Sequence, residues 1–329
     1  MWATWSRGWV GCTGRWSTRR VLDLAGGAGV MRLLVTGGRG LLGSEFEGMG
    51  VAAGHDVVAA DREALDVTQL ESARRSIQGR GFDWIVHCAA YTAVDRAEED
   101  PEGARVLNVE GTRNVARAAR EAGAGMVYVS TDYVFDGSTE KPYRPAQAPR
   151  PLSVYGRTKL EGERVVAEVF DRPGSDAAVD IPAPLIVRTG WLYGEGGRGF
   201  VRSMIDRAER GEALRVVNDQ QGRPTFARHV ATAVLELMSR ASQGMQDGTG
   251  VGHEVWHVAD GGEGSWFDLA EEAFRLSGVQ ADLRGVTSEE FGAAAPRPRY
   301  SVLDLTETER ALGRTMPDWR RVLADVLTD

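Results

Sequence analysis

Residues 31–61 read MRLLVTGGRGLLGSEFEGMGVAAGHDVVAAD, and the fold class can be inferred from them. The apolar run at residues 32–36 predicts a buried β-strand, glycines follow at positions 37, 40 and 43, and residues 40–53 have the spacing of a helix. Such a loop allows a tight turn, and the helix N-terminus beside it offers free N–H groups to a pyrophosphate. A second strand at residues 56–60 ends in Asp61, so the stretch predicts a dinucleotide-binding βαβ unit.

The same alternation continues along the chain. Strands are predicted at residues 83–87, 126–130 and 184–188, with helices at residues 68–78, 101–122 and 160–170. Strands separated by helices are typical of a Rossmann-like, doubly wound parallel sheet in an α/β protein. We therefore predict an NAD(P)-binding Rossmann domain over residues 31–189, completed by a helix at residues 226–240.

A smaller substrate domain of mixed α and β structure is predicted from the remaining residues, 190–225 and 250–329, with a C-terminal helix at residues 317–327. The polar, glycine-rich residues 241–252 are predicted to be a linker. The first 30 residues differ in composition from the rest, because they hold four tryptophans, several arginines and no acidic residue before Asp23. We expect them to be a disordered or non-native leader, with Met31 as the working start.

The charge balance narrows the class of partner. The 329 residues include 39 Lys and Arg against 47 Asp and Glu, a net charge of −8. Nucleic acids and anionic lipid surfaces select basic patches, so we expect a small ligand, no nucleic acid and no membrane. The chain has 2 cysteines, which is typical of a reduced cytoplasmic protein.

The residues after the second strand bear on the choice of cofactor. Asp61 can accept hydrogen bonds from the adenosine ribose hydroxyls, which favours NADH, whereas Arg39 and Arg62 can pair with the 2′-phosphate of NADPH. These residues leave the choice open. Asp66 and Val67, at the next turn, are placed to flank an adenine ring, although Asp66 can equally be a helix N-cap.

A catalytic group is indicated by Tyr155 and Lys159, which are four residues apart at the start of a helix. Residues with this spacing share a helix face, so we expect the ammonium to lower the pKa of the phenol and make Tyr155 a proton donor or acceptor. The chain has only two lysines, the other being Lys141, so a chance pair is less plausible. Thr131, at the end of the preceding strand, is expected to add a hydroxyl.

A metal site is not expected. His253 and His257 match the pattern His-Glu-x-x-His, which binds zinc only when a helix places both imidazoles on one face. Glycines flank this segment and favour a short strand, in which the two histidines would lie roughly 13 Å apart.

Five further segments follow in order: HCAAYTAVD at residues 87–95, STDYVFDG at 130–137, VYGRTK at 154–159, RTGWLY at 188–193 and NDQQGRPT at 218–225. With the glycine loop, they make residues 31–329 resemble the dTDP-4-dehydrorhamnose reductase family of the extended short-chain dehydrogenase/reductases. Cys88 and Gly190 depart from the residues expected in that family.

The resemblance implies a Rossmann-like enzyme that uses NADPH, or alternatively NADH, to reduce the 4-keto group of a dTDP-4-keto-6-deoxy sugar, most simply giving dTDP-L-rhamnose. Magnesium stays open, because the glutamates that hold it in some members match no position here; a homodimer is possible. The implied catalytic residues are Thr131, Tyr155 and Lys159. The implied substrate contacts are Thr131, Asp132 and Trp191. The cofactor residues, from the loop and the resemblance together, are Gly37, Gly40, Leu41, Leu42, Gly43, Asp61, Arg62, Asp66, Val67, Ala89, Ala90, Tyr91, Tyr155 and Lys159.

Three alternatives accompany this expectation. The first is a ketoreductase for another dTDP-4-keto-6-deoxy sugar of a natural-product pathway. The second is a sugar-nucleotide dehydratase, which is disfavoured because that class is expected to have Asp-Glu after the threonine, whereas Asp132 is followed by Tyr133. The third is a non-catalytic subunit of the kind that regulates methionine adenosyltransferase, which measured turnover would distinguish from an enzyme.

Overall fold

The computed structural model describes residues 29–171, 181–195, 199–247 and 255–328. Within them, six strands form one parallel sheet in the order β2-β1-β3-β4-β5-β9. The strands are β1 (Arg32–Thr36), β2 (Asp56–Ala60), β3 (Trp84–His87), β4 (Gly125–Thr131), β5 (Leu185–Thr189) and β9 (Val255–His257). The predicted Rossmann-like sheet is thereby confirmed.

Helices cover both faces of the sheet, because successive residues of each strand point to opposite sides. On one face, α1 (Leu41–Ala52) and α8 (Ala227–Asp247) pack on a core that includes Val35, Val127 and Val187. On the other face, α2 (Leu70–Ile77), α5 (Gly111–Glu121) and α6 (Val154–Asp171) pack on a core that includes Met126 and Ile186. Tyr155 and Lys159 lie on α6, at the carboxyl end of the sheet.

The single helix predicted at residues 101–122 is wrong. The chain instead forms α3 (Val94–Glu99), α4 (Pro101–Arg105), a π-helical turn (Val106–Glu110) and then α5. The carboxylate of Asp100 accepts a hydrogen bond from the Gly103 N–H at 2.9 Å and so starts α4 separately. The π turn brings Asn108 into the interior, where 1% of it is exposed.

The predicted linker at residues 241–252 is also wrong over its first half, since α8 continues to Asp247. Ala241 is buried in the core, and the Trp84 indole N–H donates to the Ser242 hydroxyl at 3.0 Å. These tertiary contacts outweigh the polar composition that suggested a linker. Residues 248–252 of the predicted linker lie outside the described residues, as do residues 1–28 of the predicted leader.

A second, smaller layer follows the sheet. It contains β6 (Leu192–Tyr193) paired with β8 (Thr225–Phe226), and β7 (Leu214–Val217) paired with β10 (Leu283–Val286). Its helices are α7 (Phe200–Glu209), α9 (Trp266–Ser277), α10 (Ser288–Phe291) and α12 (Trp319–Thr328), and most of them share a separate core.

The predicted domain boundary differs from the structure in one place. Strand β9 belongs to the main sheet, where Trp256 pairs with Val187, although residues 250–329 were assigned to the smaller domain. A helix further along the chain, α11 (Thr306–Leu312), also packs on the sheet core through Leu312. Strand β9 has only 3 residues, and so short a segment cannot be assigned to a sheet from the sequence without knowing its contacts with β5. No helix within the described ranges is long and apolar enough to cross a membrane.

Candidate active site

A cleft of about 1110 Å³ opens at the carboxyl end of the sheet, between the sheet and the smaller layer. Every site residue predicted from the sequence lines it. These are Gly37, Gly40, Leu41, Leu42, Gly43, Asp61, Arg62, Asp66, Val67, Ala89, Ala90, Tyr91, Thr131, Asp132, Tyr155, Lys159 and Trp191. Residues far apart in the sequence therefore meet at one site, as expected where parallel strands end.

The glycine loop is a cradle that a side chain would fill. Gly37 has φ +67°, in the left-handed region, and a Cβ added there would lie 2.8 Å from the Ala89 backbone nitrogen. A Cβ at Gly43 would collide with the Gly37 carbonyl oxygen. The loop thus brings bare backbone to the N-terminus of α1, where free N–H groups can hold a pyrophosphate.

Asp61 and Arg39 form an ion pair at the end of β2. Arg39 Nη2 lies 2.5 Å from Asp61 Oδ2, and the Arg39 side chain is 79% exposed. The N–H groups of Glu63 and Ala64 both donate to Asp61 Oδ1 at 3.0 Å. The bond from Ala64 and the Arg39 charge hold the pKa of Asp61 below its ordinary value. Asp61 Oδ1 therefore stabilises the turn, while Oδ2 pairs with the Arg39 guanidinium, which remains largely exposed to solvent.

Asp66 is not the N-cap of α2, which was the other interpretation of this residue. Its carboxylate accepts from the Thr68 N–H at 3.0 Å and from the Thr68 hydroxyl at 2.7 Å, and α2 begins two residues later. Val67 packs in the core beneath and is 4% exposed. This turn forms the wall of the cleft next to Asp61.

Asn108 is a residue of the site region that the sequence analysis missed. Its amide oxygen accepts from the Tyr91 N–H at 2.7 Å, and its amide nitrogen donates to the Thr158 hydroxyl at 3.0 Å. It thereby joins the loop after β3 to the helix that carries Tyr155. The signal is structural: Asn108 is a buried asparagine on a π turn, and such turns recur at functional sites, whereas the sequence predicted a single regular helix here.

Thr131, Tyr155 and Lys159 come together at the inner end of the cleft. Burial raises the pKa of Tyr155 to about 12, a hydrogen bond with Thr131 lowers it, and the Asp132 charge raises it. The prediction of a lowered pKa for this phenol is therefore wrong, because burial outweighs the groups that would lower it. The phenol holds its proton at neutral pH, which is the state that can donate to a carbonyl oxygen.

Lys159 is buried, with 3% of the residue exposed. Burial lowers the pKa of its ammonium to about 7, opposed by the Glu163 charge. Glu163 is itself held by Arg188 Nη2 at 2.7 Å and by the Ser130 hydroxyl. The Glu163 carboxylate supplies negative charge behind Lys159. The pair was not found from the sequence, because no local spacing relates Glu163 to Arg188, although Arg188 opens the segment RTGWLY.

Asp132 is bound from several sides. It accepts hydrogen bonds from the Ser301 hydroxyl at 2.5 Å, the Trp191 indole N–H at 3.2 Å and the Thr131 hydroxyl at 3.1 Å. Burial raises the pKa of its carboxyl to about 6, against the effect of these bonds. A Cβ at Gly190 would collide with this carboxylate, so glycine at that position leaves it room.

Trp191 lines the cleft, but its ring face is covered by another aromatic ring. Its ring stacks on Trp266 with centroids 3.9 Å apart, and only 7% of Trp191 is exposed. Trp266 also lines the cleft and is only half-buried. The sequence analysis missed Trp266, since it stands at the start of α9, far from every motif.

The structure gives no support for a metal site at the His-Glu-x-x-His pattern, because it describes His257 but not His253. His257 is fully buried in β9, and burial lowers its pKa to about 3. His253 lies outside the described residues. In the part of the chain that is described, no group of His, Cys, Asp and Glu side chains is arranged to hold a metal ion.

The fold and the cleft can now be compared with known proteins. The family model described as "RmlD substrate binding domain" matches residues 31–329. A dTDP-4-dehydrorhamnose reductase of Streptomyces griseus is 39% identical over 295 residues, which are 89% of this chain and 92% of that protein. A probable dTDP-4,6-dihydroxy-2-methyloxan-3-one 4-ketoreductase of Streptomyces antibioticus is 38% identical over 303 residues, 91% of this chain and 95% of that one.

Solved structures agree. The crystal structure of a dTDP-4-dehydrorhamnose reductase from Bacillus anthracis in complex with NADP has a TM-score of 0.81 at 34% identity, covering 91% of this chain and 99% of its own. A dTDP-glucose 4,6-dehydratase from Streptomyces venezuelae reaches a TM-score of 0.74 at 21% identity, covering 91% of this chain and 96% of its own. The second likeness concerns the fold alone.

Proposed function

The chain belongs to the RmlD substrate binding domain family, and from that premise we propose that it is an NADPH-dependent ketoreductase that converts dTDP-4-dehydro-6-deoxy-L-mannose to dTDP-L-rhamnose. The observation that carries the proposal is the meeting of Thr131, Tyr155 and Lys159 at the inner end of a cleft whose other end is a glycine cradle. We propose that the enzyme acts in the cytoplasm.

The cofactor fits the residues present. The bare backbone around Gly37 and Gly43 and the N-terminus of α1 suit a pyrophosphate, and the turn at Asp61 suits an adenosine ribose. When bound, the nicotinamide supplies a hydride to the carbonyl carbon. NADPH is favoured over NADH because Arg39 holds a guanidinium on the Asp61 carboxylate, which offsets its repulsion of a 2′-phosphate. The B. anthracis relative was crystallised with NADP.

The protein groups supply the proton. Tyr155 carries its proton at neutral pH and donates it to the substrate oxygen. The Thr131 hydroxyl, which donates to Asp132 Oδ1 at 3.1 Å in this structure, would turn to donate to the same oxygen when the substrate binds. Lys159 supplies positive charge beside the phenolate that is left, and its own proton can then replace the one transferred. The Glu163–Arg188 pair keeps Lys159 from losing its charge at still lower pH.

The substrate end of the cleft suits a sugar. Asp132 is fixed by Ser301 and Trp191 and offers a carboxylate beside the reacting position. Trp266 adds a half-buried indole on which an apolar sugar face or a pyrimidine can pack. Tyr133, where a dehydratase is expected to have an acid, is half-buried and packs edge-on against Tyr155 with ring centroids 6.0 Å apart.

A second candidate is reduction of a different dTDP-4-keto-6-deoxy sugar. It is favoured by the near-equal identity to the 4-ketoreductase of S. antibioticus, 38%, and to the reductase of S. griseus, 39%. A steady-state assay with a panel of dTDP-4-keto-6-deoxy sugars, each with NADPH and NADH, separates the two. The proposal predicts the highest kcat/KM for dTDP-4-dehydrorhamnose with NADPH; preference for another sugar by tenfold or more would support the second candidate. NADPH binding without turnover of any sugar would indicate a regulatory subunit.

A further inference from the structure

Thr189 is a buried hydroxyl that the proposed mechanism does not use. It is the last residue of β5, it lines the cleft, and 3% of it is exposed. Its Oγ1 has no hydrogen-bond partner within the described residues. Buried hydroxyls are nearly always bonded, so an unsatisfied one in the wall of a binding cleft indicates a group that a ligand completes.

The sheet fixes the direction of this side chain. Thr189 pairs with Thr131 on β4, and paired residues of parallel strands point to the same face. Val187 and Val129, the pair two positions back along the strands, lie in or against the core under α1 and α8. Thr189 therefore stands on the α1 side of the sheet, the side of the glycine loop, and next to the catalytic hydroxyl.

The surroundings on that side are apolar. Leu41, Leu42 and Val129 line the same part of the cleft, and the segment after β6 approaches so closely that a Cβ on Gly194 would lie 2.7 Å from Leu41 Cδ1. A nicotinamide ring reaching from a pyrophosphate at the glycine loop toward Tyr155 would lie over these residues. Asp132, on the substrate side, differs from Thr189 because it already has hydrogen-bond partners. These are Ser301, Trp191 and Thr131.

We propose that the Thr189 hydroxyl binds the carboxamide of the nicotinamide ring and so fixes which ring face is turned toward the substrate. A hydroxyl donates one hydrogen bond and accepts others, and a carboxamide offers both a carbonyl oxygen and an N–H₂ group. The inference rests on the proposed use of a nicotinamide cofactor. It adds a residue that positions the nicotinamide end of the cofactor, which lies beyond the reach of the glycine loop.

Binding measurements on the whole chain test this assignment. Calorimetric titration compares NADPH with 2′-phospho-ADP-ribose, which is the same molecule without the nicotinamide ring. Thr189→Val removes only the hydroxyl, so the Kd for NADPH should rise about tenfold, the effect of one lost buried hydrogen bond, while the Kd for the fragment stays within about twofold. Thr189→Ser keeps the hydroxyl and should restore NADPH affinity.

The melting temperatures of the variants show whether a change in affinity comes from a folding defect. An unsatisfied buried hydroxyl can be replaced by a methyl without loss, so Thr189→Val should melt at or above the wild-type Tm. Thr308→Val is the matched control: its buried hydroxyl donates to the His257 carbonyl at 2.7 Å, so this variant should melt lower and bind both ligands normally.

Two results would overturn the assignment. Equal weakening of NADPH and the fragment would make the hydroxyl structural, and unchanged NADPH affinity with a raised KM for the dTDP-sugar would place it against the substrate. A wild-type protein that binds neither NADPH nor the fragment would overturn the proposed function itself, and the assignment with it.

Discussion

The Lys159 ammonium lies 4.1 Å from the centroid of the Tyr128 ring, and the Tyr128 hydroxyl donates to the Lys159 carbonyl oxygen at 3.1 Å. Tyr128 lies on β4 and Lys159 on α6, so the sheet itself holds the lysine in place. A ring face stabilises a cation without adding a group that competes for its protons. The charge on Lys159 is thus supported by the ring and by Glu163, while burial opposes it.

A pH profile follows from this balance. Burial lowers the pKa of Lys159 to about 7, so its charge is lost as pH rises through that value rather than through its ordinary 10.5. We expect kcat/KM to fall above about pH 7, because this parameter reports the ionisation of the free enzyme. Lys159→Arg should be slower, since the guanidinium has another shape, but its profile should be flat from pH 6 to about 9. If kcat/KM fell equally at high pH in the wild type and in Lys159→Arg, the decrease would belong to a group other than Lys159.

Tyr155→Phe tests the proton donor. The substitution keeps the ring and deletes the hydroxyl, so folding and NADPH affinity should persist while kcat falls by roughly 10² to 10⁴-fold. Tyr143→Phe is the matched control: its hydroxyl donates to Asp136 at 2.9 Å, and Tyr143 is not among the residues that line the cleft. Similar losses in both variants would argue against a special role for Tyr155.

Cofactor choice is expected to depend on Arg39. Removing its guanidinium from Asp61 leaves an uncompensated carboxylate, which repels a 2′-phosphate. Arg39→Ala should therefore lower the ratio of kcat/KM for NADPH to that for NADH by about tenfold, the usual value of one charged hydrogen bond. Arg62→Ala gives the comparison, because Arg62 lines the same wall. A larger shift in the Arg62 variant would move the phosphate contact to that residue.

The buried pair behind Lys159 should dominate stability in this region. The Arg188 and Glu163 side chains are 4% and 5% exposed, so Glu163→Gln leaves a buried cation without its partner. We expect the free energy of unfolding, measured with urea, to fall by roughly 3 to 5 kcal/mol. Glu307→Gln removes the partner of Arg310, which is 68% exposed, and should cost less than about 1 kcal/mol. Comparable losses in the two variants would show that burial of the Glu163–Arg188 pair does not increase its contribution to the free energy of unfolding.

Trp266 is predicted to contribute to sugar binding. Trp266→Ala should raise KM for the dTDP-sugar about tenfold, with NADPH affinity unchanged, because the indole stands at the substrate end of the cleft. Trp266→Phe keeps an aromatic face and should recover part of the loss. If NADPH affinity fell instead, the ring would belong to the cofactor site.

The sequence was sufficient where local signals and the fold agree. The strand Asp56–Ala60 stands where it was predicted, and the glycine loop lies beside Asp61 because a βαβ unit permits little else. Tyr155 and Lys159 lie on one helix, as their spacing predicted, and Thr131 lies within hydrogen-bonding reach of Tyr155.

The remaining features depend on contacts between distant residues. Trp84 reaches Ser242 and extends α8 through residues that look like a linker. The pKa of Tyr155 follows burial rather than its neighbour four residues away, and burial is a property of the folded chain. Trp266 reaches Trp191 from a part of the sequence 75 positions away, so no spacing rule could pair them.

The most direct test of the central claim is the fate of the hydride. NADPH deuterated at the transferring position is incubated with the protein and dTDP-4-dehydrorhamnose, and the product is analysed by NMR. We expect dTDP-L-rhamnose with one deuterium at C4 from the wild-type protein, formed roughly 10² to 10⁴-fold more slowly by Tyr155→Phe. Deuterium at another carbon, or no reduced sugar from a protein that binds NADPH, would contradict it.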